Sequence, residues 1–140
     1  MNRDYEIIAG IYLVQNGYEL DLHNNFDLKS MKYLVSERTV VLHWVRSNRD
    51  WVSAETPKAL EVEFGGVTEF RFMPRDSDPP FTEDDCINSI GCWVDEDWAE
   101  GVIILGPSQQ AEPHWLTAID FMSGAVLAVQ AESASARVTA

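Results

Sequence analysis

Between Asp76 and Ala136 the chain contains no lysine and no arginine. A stretch of that composition cannot supply the cationic contacts that phosphate backbones and anionic headgroups require, which excludes nucleic acid and membrane surfaces as its partners. Long apolar runs are also missing. None approaches the eighteen or so residues of a spanning helix. The N-terminal MNRDYEIIAGIYLV has two acids before a short apolar part and no small-residue cleavage site, unlike a secretory leader. Cysteine is scarce: Cys86 and Cys92 match neither C-x-x-C nor a zinc spacing with His23, His43 or His114. Free thiols and a cytoplasmic location are expected. There is no G-x-S-x-G, no H-E-x-x-H, no phosphate loop and no EF-hand loop. No cofactor or metal is expected.

What is present is acid, unevenly placed. The formal net charge is −13 over 140 residues. Residues 1–75 carry eleven acids against nine bases, whereas 76–140 carry twelve acids against Arg137 alone. Nine of those twelve lie in the stretch from Arg75 to Gly101, RDSDPPFTEDDCINSIGCWVDEDWAEG, together with both cysteines, two tryptophans and a Pro-Pro pair. An apolar fraction of 46% is ordinary globular composition, and the length suits one domain, 1–140, with a polar tail at about 132–140 expected to fray.

Elsewhere the pattern is strand. Tyr5–Val14 is a near-continuous apolar run that Gly10 makes poor helix, and Asn16-Gly17 is a hairpin turn before the alternating Tyr18–Leu22. Phe26–Val35 alternates raggedly near Ser30, and Thr39–Val45 is rich in pleat-favouring residues. Leu60–Phe64 and Val67–Met73 both alternate and are joined by Gly65-Gly66, which predicts a hairpin. Thr82 followed by three acids has the form of a helix start, and Ile87 with Ile90 supplies an apolar face, so a short helix is predicted near 82–90. Val102–Leu105 reads as strand. Ser123-Gly124 closes a hairpin between Trp115–Phe121 and Ala125–Ala131. The expected architecture is α+β and mostly β: an antiparallel sandwich or roll of about seven to nine short strands with that one helix.

The segment LEVEFGGVTEFRF followed by RDSDPPFTEDD resembles small acidic β-rich bacterial proteins of the immunity type, which neutralise polymorphic toxins. The resemblance is carried by Leu60, Val62, Phe64, Val67, Phe70 and Phe72, about a fifth of the chain lying in and around them. It implies an all-β or α+β fold and binding without catalysis, and it transfers no catalytic residue.

Three functions follow as expectations. The first is a non-catalytic binding protein that meets a basic partner through 76–100, with Asp76, Asp78, Asp84, Asp85, Asp95 and Asp97 as the charged contacts and Trp93 and Trp98 as aromatic anchors. The same acids spaced by two have a local form that calcium loops use, but Pro79-Pro80 interrupts them and no complete motif exists. The second is a small enzyme or ligand-binding protein with a pocket in the sheets and His43 or His114 as base. The third is a structural homo-oligomer that pairs Leu60–Phe64, as an exposed edge, across a two-fold axis.

Overall fold

The computed structural model describes residues 1–93, 101–107 and 109–140. Among them are twelve strands: β1 (Asn2–Arg3), β2 (Glu6–Ile8), β3 (Tyr12–Gln15), β4 (Tyr18–Asp21), β5 (Phe26–Leu34), β6 (Thr39–Arg46), β7 (Ala59–Gly65), β8 (Glu69–Met73), β9 (Ile87–Trp93), β10 (Leu116–Phe121), β11 (Val126–Gln130) and β12 (Ser133–Thr139). They form a five-stranded sheet β1-β12-β7-β6-β5, a four-stranded sheet β8-β11-β10-β9 and a three-stranded sheet β2-β3-β4. All pairings are antiparallel except β1 with β12. The mostly β, sandwich-like architecture expected from the sequence is what the chain adopts.

The strand count exceeds the expected seven to nine because β1 and β2 are too short to leave a periodic signal and because β9 and β12 form where the sequence predicts a helix and a frayed tail. Tyr5–Val14 is two strands: Ala9 and Gly10 take φ of 53° and 74° and turn the chain, so β2 pairs with β3. The hairpins predicted at Asn16-Gly17 and Ser123-Gly124 form as β3–β4 and β10–β11. The hairpin predicted at Gly65-Gly66 does not. Strand β7 sits between β6 and β12, while β8 lies at the edge of the four-stranded sheet, so the glycines carry the chain from one sheet to the other. An alternating strand on either side of a Gly-Gly turn fits this crossover equally well, because Leu60, Val62 and Phe64 of β7 and Phe70 of β8 still pack on the common core, although Phe72 is 49% exposed. As β7 is paired along both edges, Leu60–Phe64 is not available for pairing across a two-fold.

No helix forms over Thr82–Ile90. A single 3₁₀ turn spans Phe81–Glu83, and β9 begins at Ile87. The misleading feature is a bulge. Phe121 faces Ile87 and Asp120 faces Ser89, leaving Asn88 as the extra residue, so Ile87 and Ile90 reach one face at a spacing of three. Val102–Leu105 contributes only a bridge, Ile103 with Cys92, made by reciprocal backbone bonds of 2.8 and 2.9 Å. Gly91 is required beneath this arm: a Cβ there would lie 2.2 Å from the Ile103 carbonyl oxygen. The tail does not fray either, since Ser133–Thr139 pairs with β7 over its whole length.

The core lies between the sheets, with Leu13, Leu20, Phe26, Leu42, Trp44, Leu60, Phe64, Ile87, Ile119 and Leu127 all buried in one cluster. A smaller cluster of Trp93, Leu116, Ala118 and Ala128, with Val102 against it, covers the opposite face of the four-stranded sheet. Tyr5 joins the main cluster, and its burial pushes the phenol up to about 12. The unfolded chain gives up this proton near 10 and the folded chain only near 12, so Tyr5 contributes stability below pH 10 that is lost as pH rises to 12. Two pH units correspond to about 3 kcal/mol at most. Denaturant midpoints between pH 9 and 12 should fall more steeply for the native chain than for Tyr5→Phe; parallel curves would show that Tyr5 is not the alkaline trigger.

Candidate functional site

The acidic stretch is organised by its single cation. Arg75 follows β8, and its guanidinium donates from Nε to Asp84 Oδ1 at 2.8 Å and from Nη2 to the carbonyl oxygens of Pro79 and Pro80, the latter at 3.0 Å. The Pro79-Pro80 pair, which lacks amide protons, thus offers its carbonyls inward and closes the loop on the arginine. The 3₁₀ turn adds Glu83 N to Pro80 O and Asp84 N to Phe81 O. The Arg75 guanidinium also stands 4.7 Å from the Phe81 ring centroid. Phe81 is nevertheless 79% exposed.

The predicted contact residues divide. Asp76 and Asp78 are exposed, and Asp76 anchors the loop through its amide to Ser123 O at 2.9 Å. The Asp76 carboxylate also occupies the space beside Gly124, whose φ of 86° suits glycine. Asp84 is exposed but neutralised by Arg75. Asp85 is half-buried, and its carbonyl accepts from Leu28 N at the bulge of β5. Its carboxyl is held above the ordinary range, first by desolvation and then by the nearby Asp27, with Lys29 and Arg49 opposing. Trp93 is 5% exposed and belongs to the small cluster with Leu116. It is a packing residue, not an exposed anchor, because register sets it opposite Leu116 on the face covered by Val102. Asp95, Asp97 and Trp98 lie outside the described residues.

Between the loop and β5 runs a groove of about 320 Å³ lined by Leu28, Lys29, Met31, Phe81, Asp84 and Asp85. Phe81, Leu28 and Met31 supply its apolar wall, Asp84 and Asp85 its carboxylates. Sequence reasoning missed Phe81, since nothing in a Pro-Phe-Thr sequence marks a ring as exposed, and it missed Asp27, brought beside Asp85 only by the β5–loop contact.

The histidines are dispersed. His43 is half-buried on the outer face of the five-stranded sheet, opposite Ser30 and Glu61. His114 is in the loop before β10, 3.6 Å from Glu112. Neither lines the groove at Phe81. His23 Nδ1 is 2.5 Å from Ile87 O. Asp120 holds Ser89 and Asn88, with no histidine in that set. Burial raises the thiols of both cysteines, which disfavours the nucleophilic thiolate. Among the described residues no three His, Cys, Asp or Glu side chains converge at metal-holding distance, and no helix is long and apolar enough to cross a membrane. Of the residues that carried the immunity-type resemblance, Leu60, Val62 and Phe64 lie on one sheet, Phe70 and Phe72 on another, and Val67 in the connection between them. Comparisons with family models, with curated proteins and with solved structures find no match to this chain.

Proposed function

We propose that this protein is a non-catalytic binding protein that meets a basic partner at the loop 75–85 and the adjoining strand β5. One observation carries the reading: an exposed phenyl ring, Phe81, stacked with Arg75, lines the same groove as the half-buried, electrostatically strained carboxylate of Asp85. A lysine or arginine of the partner could lay its aliphatic stem against Phe81 and Met31 and bring its charged head to Asp85. That head would relieve the repulsion between Asp85 and Asp27. The surrounding Asp76, Asp78 and Glu83 would steer approach. The local field is smaller than the count of acids suggests, because Arg75 and Lys29 offset two of them. Packing at Phe81 is therefore as necessary to the reading as charge. Immunity to a toxin is the concrete version of this role.

The probe is an acetylated hexa-arginine peptide titrated into isotope-labelled protein at low salt. Shifts should concentrate in residues 28–31 and 75–85, weaken roughly threefold or more in Asp85→Asn and in Phe81→Ala, and vanish in high salt. Shifts spread evenly over every acidic surface, or indifferent to both substitutions, would end the reading.

A further inference from the structure

The sites considered so far leave Arg3 unexplained. Arg38, Arg46, Arg71, Arg75 and Arg137 each donate to a carbonyl or carboxylate oxygen. Arg3 does not: its guanidinium stands 5.6 Å over the Tyr5 ring, and no carboxylate among the described residues is in ion-pair range. It lines three adjoining pockets. On one side is a lobe of about 680 Å³ with Ile7, Ile8, Ala9, Ile104, Leu105 and Pro107 in its wall. On the other is a lobe of about 290 Å³ reaching Cys92, Trp115, Thr117 and Gln130. A smaller pocket of about 30 Å³ lies at Gly91, and Arg3 and Leu105 line all three. The charge of Arg3 acts on both the Tyr5 phenol and the Cys92 thiol, as its position between the lobes requires.

The geometry points to a binding site for a small monocarboxylate with a hydrocarbon chain, its head group on Arg3 and its chain in the lobe of Ile7, Ile8 and Ile104. An unpaired guanidinium presents the two parallel donors that match a carboxylate. The adjoining isoleucines, Leu105 and Pro107 offer apolar wall where most binding energy of such a molecule arises. A monoanion fits better than phosphate. Arg3 carries the only cationic side chain in the cleft among the described residues, Glu6 and Glu112 line the two lobes, and the whole chain is strongly negative, so a second ligand charge would meet repulsion. The site is formed by the first strand and by residues 104–107, 109 and 110 of the arm clasped through the Ile103–Cys92 bridge, at a separate surface from the Phe81 groove.

Octanoate is the probe, with 1-octanol as its uncharged match, each titrated into labelled protein and followed at the amides of Arg3, Ile7, Ile8 and Leu105. Octanoate should shift these amides at sub-millimolar to millimolar concentration and bind roughly tenfold more tightly than octanol. Arg3→Gln should remove that tenfold preference while leaving octanol binding intact, which also shows that the cleft survives the substitution. Ile8→Asp, at an exposed position, should weaken both ligands. The proposal is overturned by equal affinity for octanoate and octanol, by an Arg3→Gln variant that keeps the preference, or by the absence of shifts at the cleft in millimolar octanoate.

Discussion

Deleting residues 133–140 is expected to leave a chain that does not reach a soluble folded state. Composition makes ESASARVTA look dispensable, but β12 is bonded on both sides. Its seven residues from Ser133 to Thr139 register with Gly65 to Ala59 of β7, and Asn2 and Arg3 pair with Ser133 and Ala134 on the far edge. Side chains add to this: Gln15 Nε2 donates to Ala136 O, and Ala136 N donates to Asp4 Oδ1, both at 2.9 Å. Lys58 N donates to Thr139 O at 2.8 Å. At about 1 kcal/mol net per hydrogen bond, these losses are comparable with the 5–15 kcal/mol that holds a domain together. The deletion also bares the edge of β7, with Leu60, Val62 and Phe64 on its inner face, as a template for aggregation. Soluble yield and amide dispersion are the measurements. A soluble truncated protein with an unchanged melting temperature would mean that β12 contributes nothing to the fold.

The tail shows what a sequence pattern conceals. Ala134, Ala136 and Val138 do alternate towards the interior, but with side chains too small to stand out against serine and threonine. Large alternating residues at β6 and β7 were readable because the inward positions Val40, Leu42, Trp44, Leu60, Val62 and Phe64 carry side chains that could only be there to pack. Pairing was less readable than existence. Asn16-Gly17 joins strands that pair, whereas Gly65-Gly66 joins strands that part, and only the other partners of β7, about seventy or more residues away in β12 and nearer in β6, decide between them. A bulge was the second source of error. At Asn88 one extra residue converts a spacing of two into three and imitates helical periodicity, whereas the bulge at Lys29 between Leu28 and Ser30 showed only as ragged alternation in a strand correctly read.

The site was legible as a region and not as residues. Charge counting found the loop because charge survives in the sequence whatever the fold. It could not see that Arg75 would spend its donors on Asp84 and two proline carbonyls, or that Asp27 would approach Asp85. The preference for tryptophan at interfaces selected Trp93, whose register buries it, over Phe81, which the tight turn pushes outward. Arg3 was invisible for a different reason. Its cleft is made with Leu105 and Gln109, a hundred residues on, and no local motif links them.

Trp44 is expected to give the largest loss of any single side chain, and its two substitutions separate packing from polarity. It lies on β6, between β5 and β7, is 1% exposed and is the largest of the fully buried side chains. Its cross-strand neighbours are Leu28 and Leu60, themselves buried, so truncation leaves a void in the middle of the sandwich that neither sheet can close without moving its partners. Trp44→Ala should therefore cost about 3–5 kcal/mol, enough to unfold a marginal domain at physiological temperature. Trp44→Phe should cost far less than its lost volume suggests. The indole Nε1 is buried and has no hydrogen-bond acceptor among the described residues, and an unsatisfied donor in such a place costs about 1–3 kcal/mol that the phenyl ring does not incur. The two effects oppose, so Trp44→Phe should fall within about 1.5 kcal/mol of the native chain, the range of well-tolerated core exchanges. Urea midpoints at constant slope measure both. If Trp44→Phe proves as damaging as Trp44→Ala, the Nε1 proton has a partner, and the indole is held by a hydrogen bond as well as by fit.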